Sequence, residues 1–247
     1  MIVEFAGLPG AGKTTLREQL RSEAAARNEP VLAGHLLGAS LSGRGRFAGR
    51  ATARVAGLVA EPRVAAWGAA VLADRGRPWP ERLFAVRLLA VTLDNHRWLR
   101  GQNPDTLVLV DEGFAQRAML LLSGAGGGAN LDRAQRYATA VPVPRVVVHV
   151  RIDPSDSVRR TAARDRGLPA RFARLSGDML LASLADAARV LDVVVSELGR
   201  RGARIVEVDG TARRGKDPPV ELLQAVGLLP AVDGIGRIDS ASDTPSR

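Results

Sequence analysis

Near its start the chain reads Ile2-Val3-Glu4-Phe5-Ala6-Gly7-Leu8-Pro9-Gly10-Ala11-Gly12-Lys13-Thr14-Thr15. The mostly apolar run over residues 2–6 predicts a buried strand, and the glycines that follow it predict a tight loop. After the loop, Leu16, Leu20 and Ala24 recur at helical spacing, which predicts a helix to about Arg27. A strand, a glycine-rich loop and a helix in this order predict the first unit of an α/β fold.

The loop has the residues that bind nucleotide phosphates. Residues 7–14 match GxxxxGK[ST], in which glycines let backbone N–H groups turn inward around an anion at a helix N-terminus. Lys13 would reach the β- and γ-phosphates, Thr14 would bind Mg²⁺ through its hydroxyl, and Thr15 would contact the α-phosphate. The loop residues expected to bind a nucleoside triphosphate are Gly7, Pro9, Gly10, Ala11, Gly12, Lys13, Thr14 and Thr15.

Lysine is rare in this chain. Of its 35 lysine and arginine residues, only Lys13 and Lys216 are lysine. A lysine kept at this position in an arginine-rich chain indicates a need for a compact ammonium group on a flexible stem, which the planar guanidinium does not supply.

Further apolar runs predict four more strands, at residues 31–33, 106–110, 145–150 and 204–208. Helical stretches separate them, and parallel strands covered on both faces are continuously apolar. The sequence therefore predicts an α/β fold, a three-layer doubly wound parallel sheet of about five strands, with ligands at the carboxyl ends of the strands.

One domain is expected over residues 1–229. Within it, residues 38–105 read as a helical insertion, with helices at about 47–60, 62–74 and 80–100, that would form a wall or lid facing the substrate. A further long helix is expected over 173–201, with a break near Gly177. Residues 230–247 are rich in Gly, Asp, Ser and Pro and read as a flexible tail.

Two acids follow the strand at 106–110. Asp111 at its end is expected to hold Mg²⁺, with an ordinary helix N-cap as the alternative, and Glu112 is expected either to accept a proton from an acceptor hydroxyl or to be solvated. Arg117 would either bind an anionic group of the acceptor or be an ordinary surface or salt-bridged arginine.

A basic segment follows the strand at 145–150. Asp153-Pro154 reads as an N-cap with proline at the first helical position, and Arg160 and Arg164 would share one face of the helix. Positioned guanidinium groups stabilise the charge that develops during phosphoryl transfer, so residues 153–172 are expected to form an arginine-rich lid. The expected catalytic residues are Lys13, Asp111, Glu112, Arg160 and Arg164, and the expected metal ligands are Thr14 and Asp111.

Through residues 5–16, Val110-Asp111-Glu112-Gly113 and the arginines after Asp153, the chain resembles the P-loop nucleoside and nucleotide kinases, in particular thymidylate-kinase-like proteins. The resemblance implies ATP, Mg²⁺ and an arginine-bearing lid in which Arg160 and Arg164 bind the nucleotide. It also implies that the loop after the last strand, with Gly210 and Thr211, contacts adenine. The acid or Asp-Arg pair that often grips a nucleoside acceptor is missing, and residues 34–105 match poorly.

Bulk composition excludes several classes of site. The absence of cysteine excludes disulfides and zinc–thiolate sites, and His35, His96 and His149 are too far apart in sequence to suggest a metal cluster. No apolar run approaches the length of a membrane span and no signal sequence is visible, so we expect no membrane association and a cytoplasmic location.

Three functions fit these residues. The first is an ATP- and Mg²⁺-dependent phosphotransferase with a small, anionic or hydroxylated acceptor, and the second is an ATP-dependent switch or ATPase that acts on a macromolecule. A nucleic-acid ATPase rests on the net charge of +9 alone, and aromatic residues for base stacking are scarce at 4%. Whether the chain forms a homodimer is left open.

Overall fold

The computed structural model describes residues 1–34, 60–76, 78–101, 103–122, 129–163, 167–168, 172–211 and 217–230. The predicted helix from Phe47 up to residue 59 lies outside the described residues. So do the predicted lid residue Arg164 and the predicted tail after Pro230.

The chain folds as an α/β protein with a five-stranded, all-parallel sheet. The strands are β1 (Ile2–Gly7), β2 (Val31–Gly34), β3 (Leu107–Val110), β4 (Val146–Arg151) and β5 (Arg204–Asp209). Within the described residues the helices are α1 (Lys13–Ala26), α2 (Pro62–Ala73), α3 (Trp79–Arg100), α4 (Phe114–Leu122), α5 (Leu131–Ala140), α6 (Pro154–Ala162), α7 (Gly177–Arg200) and α8 (Val220–Ala225).

The strand order β2-β3-β1-β4-β5 puts β1 in the middle of the sheet. Glu4 of β1 pairs in register with Val110 of β3 on one side and with Val147 of β4 on the other. From β1 the chain passes to β2, on one side of β1 in the sheet. From β3 it later crosses to β4, on the other side of β1. Right-handed crossovers then put α1 on one face and α4 and α5 on the opposite face, which is compatible with three layers.

The point where the connections diverge is where α/β sheets bind ligands, at the carboxyl ends of the strands. The loop over residues 7–14 lies there, directly after β1.

The core lies on both faces of the sheet. Val147 and Val148 of β4 are fully buried, as are Leu184 and Val194 of α7. The continuous apolar strands of the sequence are therefore explained by cover on both faces, as predicted.

The structure corrects some predicted boundaries. The long helix starts at Gly177 and not at residue 173, because residues 172–174 form a turn in which Leu175 N donates to Phe172 O at 3.0 Å. Helices α5 and α8 were not predicted. Helix α5 has a local start signal, since Asn130 Oδ1 accepts a hydrogen bond from Arg133 N at 2.8 Å.

Helices α2 and α3 lie in the range predicted to be a helical insertion. Helix α2 packs against α3 and α5, so this range joins the main body of the protein. Among the described residues, no helix combines the length and the apolar character needed to cross a bilayer.

A buried hydroxyl joins α5 to α4. Tyr137 of α5 is fully buried, and its hydroxyl donates to the carbonyl oxygen of Phe114 at 2.9 Å.

We predict that Tyr137→Phe lowers the free energy of unfolding by about 1 kcal/mol, because a buried hydrogen bond is lost without a change of shape. Thr139→Val on the same helix removes an exposed hydroxyl and is the control. Equal losses for the two variants in denaturant unfolding would contradict this account of the α4–α5 contact.

Candidate functional site

The loop between β1 and α1 has a backbone shaped by two glycines. Gly10 and Gly12 have φ values of 80° and 97°, in the left-handed region that glycine adopts readily. Ala11 N donates to Leu8 O at 3.2 Å, which closes the turn, and α1 begins at Lys13 with no acidic residue in its first turn. The first amide groups of a helix have no acceptors within it and its N-terminus is positive, so this loop favours an anion.

Lys13 lies over this loop. Its Nζ donates to the carbonyl oxygens of Gly7 at 2.7 Å and Leu8 at 3.0 Å, so the ammonium group is held at the mouth of the turn. The next two side chains, Thr14 and Thr15, are exposed at the start of α1. The structure thus brings a cation, two hydroxyl groups and the helix N-terminus to one place.

Two glycines let neighbouring elements approach the loop closely. A Cβ atom on Gly7 would lie 2.3 Å from the carbonyl oxygen of Val150, which is backbone and has little freedom to move. A Cβ atom on Gly10 would lie 3.0 Å from Thr161 Oγ1 of α6. Ser157 Oγ of α6 also donates to Pro9 O at 2.6 Å, so α6 packs directly on the loop.

Arg160 joins α6 to the loop after β5. Its guanidinium group donates to the carbonyl oxygens of Gly210 at 2.7 Å and Thr211 at 3.3 Å. Gly210 in turn lies against the loop of residues 7–14, which we call the phosphate loop after its predicted ligand, because a Cβ atom on Gly210 would be 2.6 Å from Ala11 O. Arg160, Gly210 and Thr211, which were predicted as nucleotide-binding residues, are therefore brought together beside the loop.

The position of Arg160 adds to the sequence-based prediction. Its guanidinium group is bonded to backbone carbonyls in this structure, so it positions Gly210 and Thr211, the first residues after β5, and its contact with phosphates stays a prediction. The other predicted lid residue, Arg164, lies outside the described residues.

Asp111 is buried at the end of β3, where it forms an ion pair with α1. Arg17 Nη1 lies 2.5 Å from Asp111 Oδ2, and both side chains are less than one-tenth exposed. Arg17 follows Lys13 by one helical turn, so it lies on the same side of α1. This pair ties the helix that follows the phosphate loop to the strand that carries the predicted metal ligand.

Two oxygen-bearing side chains near the phosphate loop suit a Mg²⁺ ion that takes most of its other ligands from phosphate and water. Thr14 offers an exposed hydroxyl and Asp111 a carboxylate, and Mg²⁺ commonly takes one or two protein oxygens together with phosphate oxygens and water. Within the described part of the chain, no three Asp, Glu or His side chains are grouped to hold a metal by themselves. Thr14 and Asp111 would thus hold the ion only together with phosphates.

Glu112 forms an ion pair with Arg117, the residue for which two roles were left open. Arg117 Nη2 contacts Glu112 Oε2, and the arginine side chain is buried while that of Glu112 is 42% exposed. The pKa of Arg117 is lowered, because the effect of burial exceeds the opposing effect of the negative charge of Glu112. The salt-bridge alternative for Arg117 therefore holds in this structure, and the Glu112 carboxylate has a fixed partner and an open side.

Two residues that the sequence analysis did not select also contact this site. Gln116 of α4 accepts a hydrogen bond through Oε1 from Gly7 N at 2.9 Å, which fixes the start of the phosphate loop. Glu4, in the middle of β1, is 1% exposed, and its Oε2 accepts a hydrogen bond from Ala115 N at 3.0 Å.

Glu4 lies directly beneath the turn that follows Glu112. A Cβ atom on Gly113 would be 2.1 Å from Glu4 Cδ, so a larger residue there would force the Glu4 carboxyl group to move. Burial raises the pKa of Glu4 from 4.5 to about 7, although hydrogen bonds from the Ala115 and Phe114 amides lower it.

His96 of α3 lines the same small cavity as Glu4 and Glu112. Burial, together with the positive charge of Arg100, lowers the pKa of His96 to about 4, so its ring is neutral at pH 7. The cavity is about 10 Å³, which is room for a single water molecule.

Some of the missed residues had a signal in the sequence. Arg17 follows Lys13 at helical spacing, Ser157 precedes Arg160 and Thr161 on one face of α6, and Glu4 is a charged residue inside a strand that is otherwise apolar. Gln116 had no such signal, because its contact with Gly7 depends on how α4 packs on β1.

Comparison with protein-family models gives no match for this chain, and comparison with the curated proteins gives none either.

The buried Arg17–Asp111 pair predicts a large coupling in unfolding experiments. Arg17→Met should lower the free energy of unfolding by about 3 kcal/mol, because it removes the cation that pairs with the buried Asp111 carboxylate. Asp111→Asn should lower it by less, because Arg17 keeps its ion pair with Glu18 at 2.6 Å. The double variant should lose at least about 1 kcal/mol less than the sum of the single losses.

The more exposed Arg27–Glu23 pair of α1 is the control for this cycle, through Arg27→Met and Glu23→Gln. Its coupling should stay below about 0.5 kcal/mol, as for other exposed pairs. A coupling for Arg17 and Asp111 no larger than that of the control would show that the buried pair is not important for stability.

Glu4 predicts a distinct pH dependence of stability. Its pKa is 4.5 when unfolded and about 7 when folded, so the folded protein binds more protons in this window and stability falls as pH rises through it. Between a pH below 4.5 and a pH above 7, the unfolding free energy of the wild-type protein should fall by on the order of 3 kcal/mol relative to that of Glu4→Gln.

The measurement is denaturant unfolding of both proteins across this pH range. The titration of His96, whose pKa is lowered, acts with the opposite sign and largely cancels in the difference between the two proteins. A difference that stays constant with pH would rule out a buried Glu4 that takes up a proton in this window.

Proposed function

We propose that this chain is a P-loop kinase, an ATP- and Mg²⁺-dependent phosphotransferase that moves the γ-phosphoryl group of ATP to a small acceptor. The observation that carries the proposal is the geometry of residues 7–14. Gly10 and Gly12 have left-handed backbones, and Lys13 lies over the loop within hydrogen-bonding distance of the Gly7 and Leu8 carbonyls.

The position of the loop supports a phosphate ligand. It lies at the carboxyl end of the central strand β1, where the connections of the sheet diverge, and it continues into the N-terminus of α1. Backbone amides and an ammonium group there suit the β- and γ-phosphates of a nucleotide. The packing of Gly210 on Ala11 supports a base site formed by the β5–α8 loop.

Mg²⁺ held by Thr14 and Asp111 would supply positive charge to the phosphate oxygens. Arg17 has a separate role, because it neutralises the Asp111 carboxylate and orients it toward α1. Asp111 is therefore oriented before a nucleotide binds.

The acceptor would approach from the side of α3. This helix belongs to the predicted insertion and lies next to Glu112, since both line one cavity. In the proposed transfer, the acceptor hydroxyl oxygen bonds to the γ-phosphorus while the bond from that phosphorus to the β–γ bridging oxygen breaks. ADP leaves, and Glu112, held by Arg117, takes the hydroxyl proton.

Positive side chains would stabilise the charge on the transferred group. Lys13 is at the loop mouth, and Arg160 holds the β5–α8 loop beside it. Electrostatic stabilisation of this kind is commonly the largest contribution to phosphoryl transfer.

A coupled assay of ADP release tests the function directly. The acceptor panel covers nucleosides, nucleoside monophosphates and small hydroxylated metabolites. The proposal predicts that one class accelerates ADP release and is itself phosphorylated. Slow ATP hydrolysis that no small acceptor changes, but that a macromolecule accelerates, would replace the kinase with an ATPase or switch.

We predict that Lys13→Ala lowers kcat by at least about a hundredfold while the thermal unfolding curve stays close to that of the wild type, because the loss is of charge at the phosphates. Lys13→Arg should not restore the rate, since a planar guanidinium group is larger and less flexible than an ammonium group. Arg21→Ala, at an exposed position two turns later on α1, is the control and should keep full activity. Normal turnover in Lys13→Ala would refute the proposed role of the loop.

A further inference from the structure

A groove between α2 and α5 forms a second concave surface. It has a volume of about 360 Å³, within the range of small-molecule sites. Its wall on α2 includes Arg63, Ala66, Trp67 and Ala70, which share one helix face, and Arg136 of α5 stands opposite. We call this surface the arginine groove.

The lower part of the arginine groove is apolar and fixed in position. Ala66 and Ala70 have small side chains, which leaves the space between the two helices open. Trp67 is buried, and its ring lies edge-on to the ring of Tyr137, with 5.1 Å between the ring centres. An apolar ligand body placed here would contact a surface that is already ordered.

The rim of the groove is positively charged. Arg133 on the rim is neutralised by Asp74, at 2.8 Å. Among the described residues, by contrast, no carboxylate forms an ion pair with Arg63 or Arg136. Before α2, residues 31–60 contain neither Asp nor Glu, and the acid nearest to Arg63 in sequence is Glu61, the N-cap of that helix.

A further guanidinium group acts on the same end of the groove. Arg201 Nη1 donates to the carbonyl oxygen of Val141, just after α5, at 2.8 Å. The pKa of Arg201 is lowered, chiefly by burial and also by the positive charge of Arg63, so Arg201 adds to the positive potential near Arg63.

This end of the groove is separate from the phosphate loop. Val141 lies just before the amino end of β4, whereas the loop packs on Val150 near the carboxyl end of the same strand. This end of the groove therefore lies toward the amino ends of the strands, and the phosphate loop lies at their carboxyl ends.

We infer that the arginine groove is a binding site for a small organic anion, distinct from the phosphate loop. The apolar body of the ligand lies on Ala66, Trp67 and Ala70. Its phosphate, sulfonate or carboxylate group is bound by Arg63 and Arg136, whose planar guanidinium groups suit such oxygens.

Tryptophan fluorescence tests this site, because the chain has only three tryptophans. A Trp79→Phe/Trp98→Phe background leaves Trp67 as the single energy donor. The probe is anilinonaphthalene sulfonate, an aryl anion that accepts energy from tryptophan, and its neutral analogue is N-phenylnaphthylamine. We expect energy transfer from Trp67 to the anion at one saturable site, and about tenfold weaker binding of the neutral analogue.

Arg63→Ala/Arg136→Ala should weaken binding of the anion by about tenfold, and Arg63→Lys/Arg136→Lys should weaken it less, because the charge remains. The control is Arg189→Ala/Arg200→Ala, which removes two exposed arginines of α7 and the same net charge. It should change binding by less than about twofold. Phenyl phosphate and benzoate, added as competitors, distinguish a phosphate ligand from a carboxylate ligand.

Three results would overturn the inference. One is equal binding of the anion and its neutral analogue, and another is an equal effect of the groove variant and the control. The third is displacement of the probe by ATP or loss of binding in Lys13→Ala, which would put the anion in the phosphate loop. Because the probe reports on Trp67 and needs no turnover, the inference is tested independently of the kinase proposal.

Discussion

The site depends on close backbone contacts between the phosphate loop and its neighbours, which glycine alone permits. The Gly7 backbone lies against the Val150 carbonyl, and Gly210 lies against the Ala11 carbonyl. A methyl group at either position would collide with backbone atoms that have little room to move. The turn after β1, the carboxyl end of β4 and the β5–α8 loop therefore have to fold together, and the shape of the loop is fixed before any ligand binds.

Around this loop, the charge of each of three acids is compensated in a different way. Asp111 is paired with Arg17, and Glu112 is paired with Arg117. Glu4 has backbone amides instead of a cation, and burial raises its pKa to about 7. These three acids thus contribute little net negative charge at the carboxyl ends of the strands. Lys13 and the N-terminus of α1 make the same region attractive to anions.

The sheet was predictable from sequence because its signals are local. The apolar runs that became β1 to β5 and the glycine spacing of residues 7–14 need no knowledge of distant contacts. Asp153 and Pro154 begin α6 as predicted, since an N-cap involves only neighbouring residues. Helix α5 was missed although Asn130 marks its start, because its buried face is small and consists of Ala134, Tyr137 and Ala138.

The site was harder to predict, because its partners are far apart in the chain. The sequence identified Asp111 as a candidate, but its pairing with Arg17, 94 residues earlier, depends on how α1 packs on the sheet. Glu112 and Arg117 are only five residues apart, and a salt bridge was one of the alternatives predicted for Arg117. The prediction that Arg160 binds nucleotide did not include its bonds to the Gly210 and Thr211 carbonyls, since these join segments about fifty residues apart.

Residues 7–14 are proposed to hold the phosphates of a nucleotide, and calorimetric titration of the protein with a non-hydrolysable ATP analogue and Mg²⁺ measures that binding without an acceptor. The predicted result is one saturable site per chain, with inorganic triphosphate as a competitor, because the loop recognises phosphates and not the base. If neither the analogue nor triphosphate binds at millimolar concentration, the loop is not a nucleotide site and the account is contradicted.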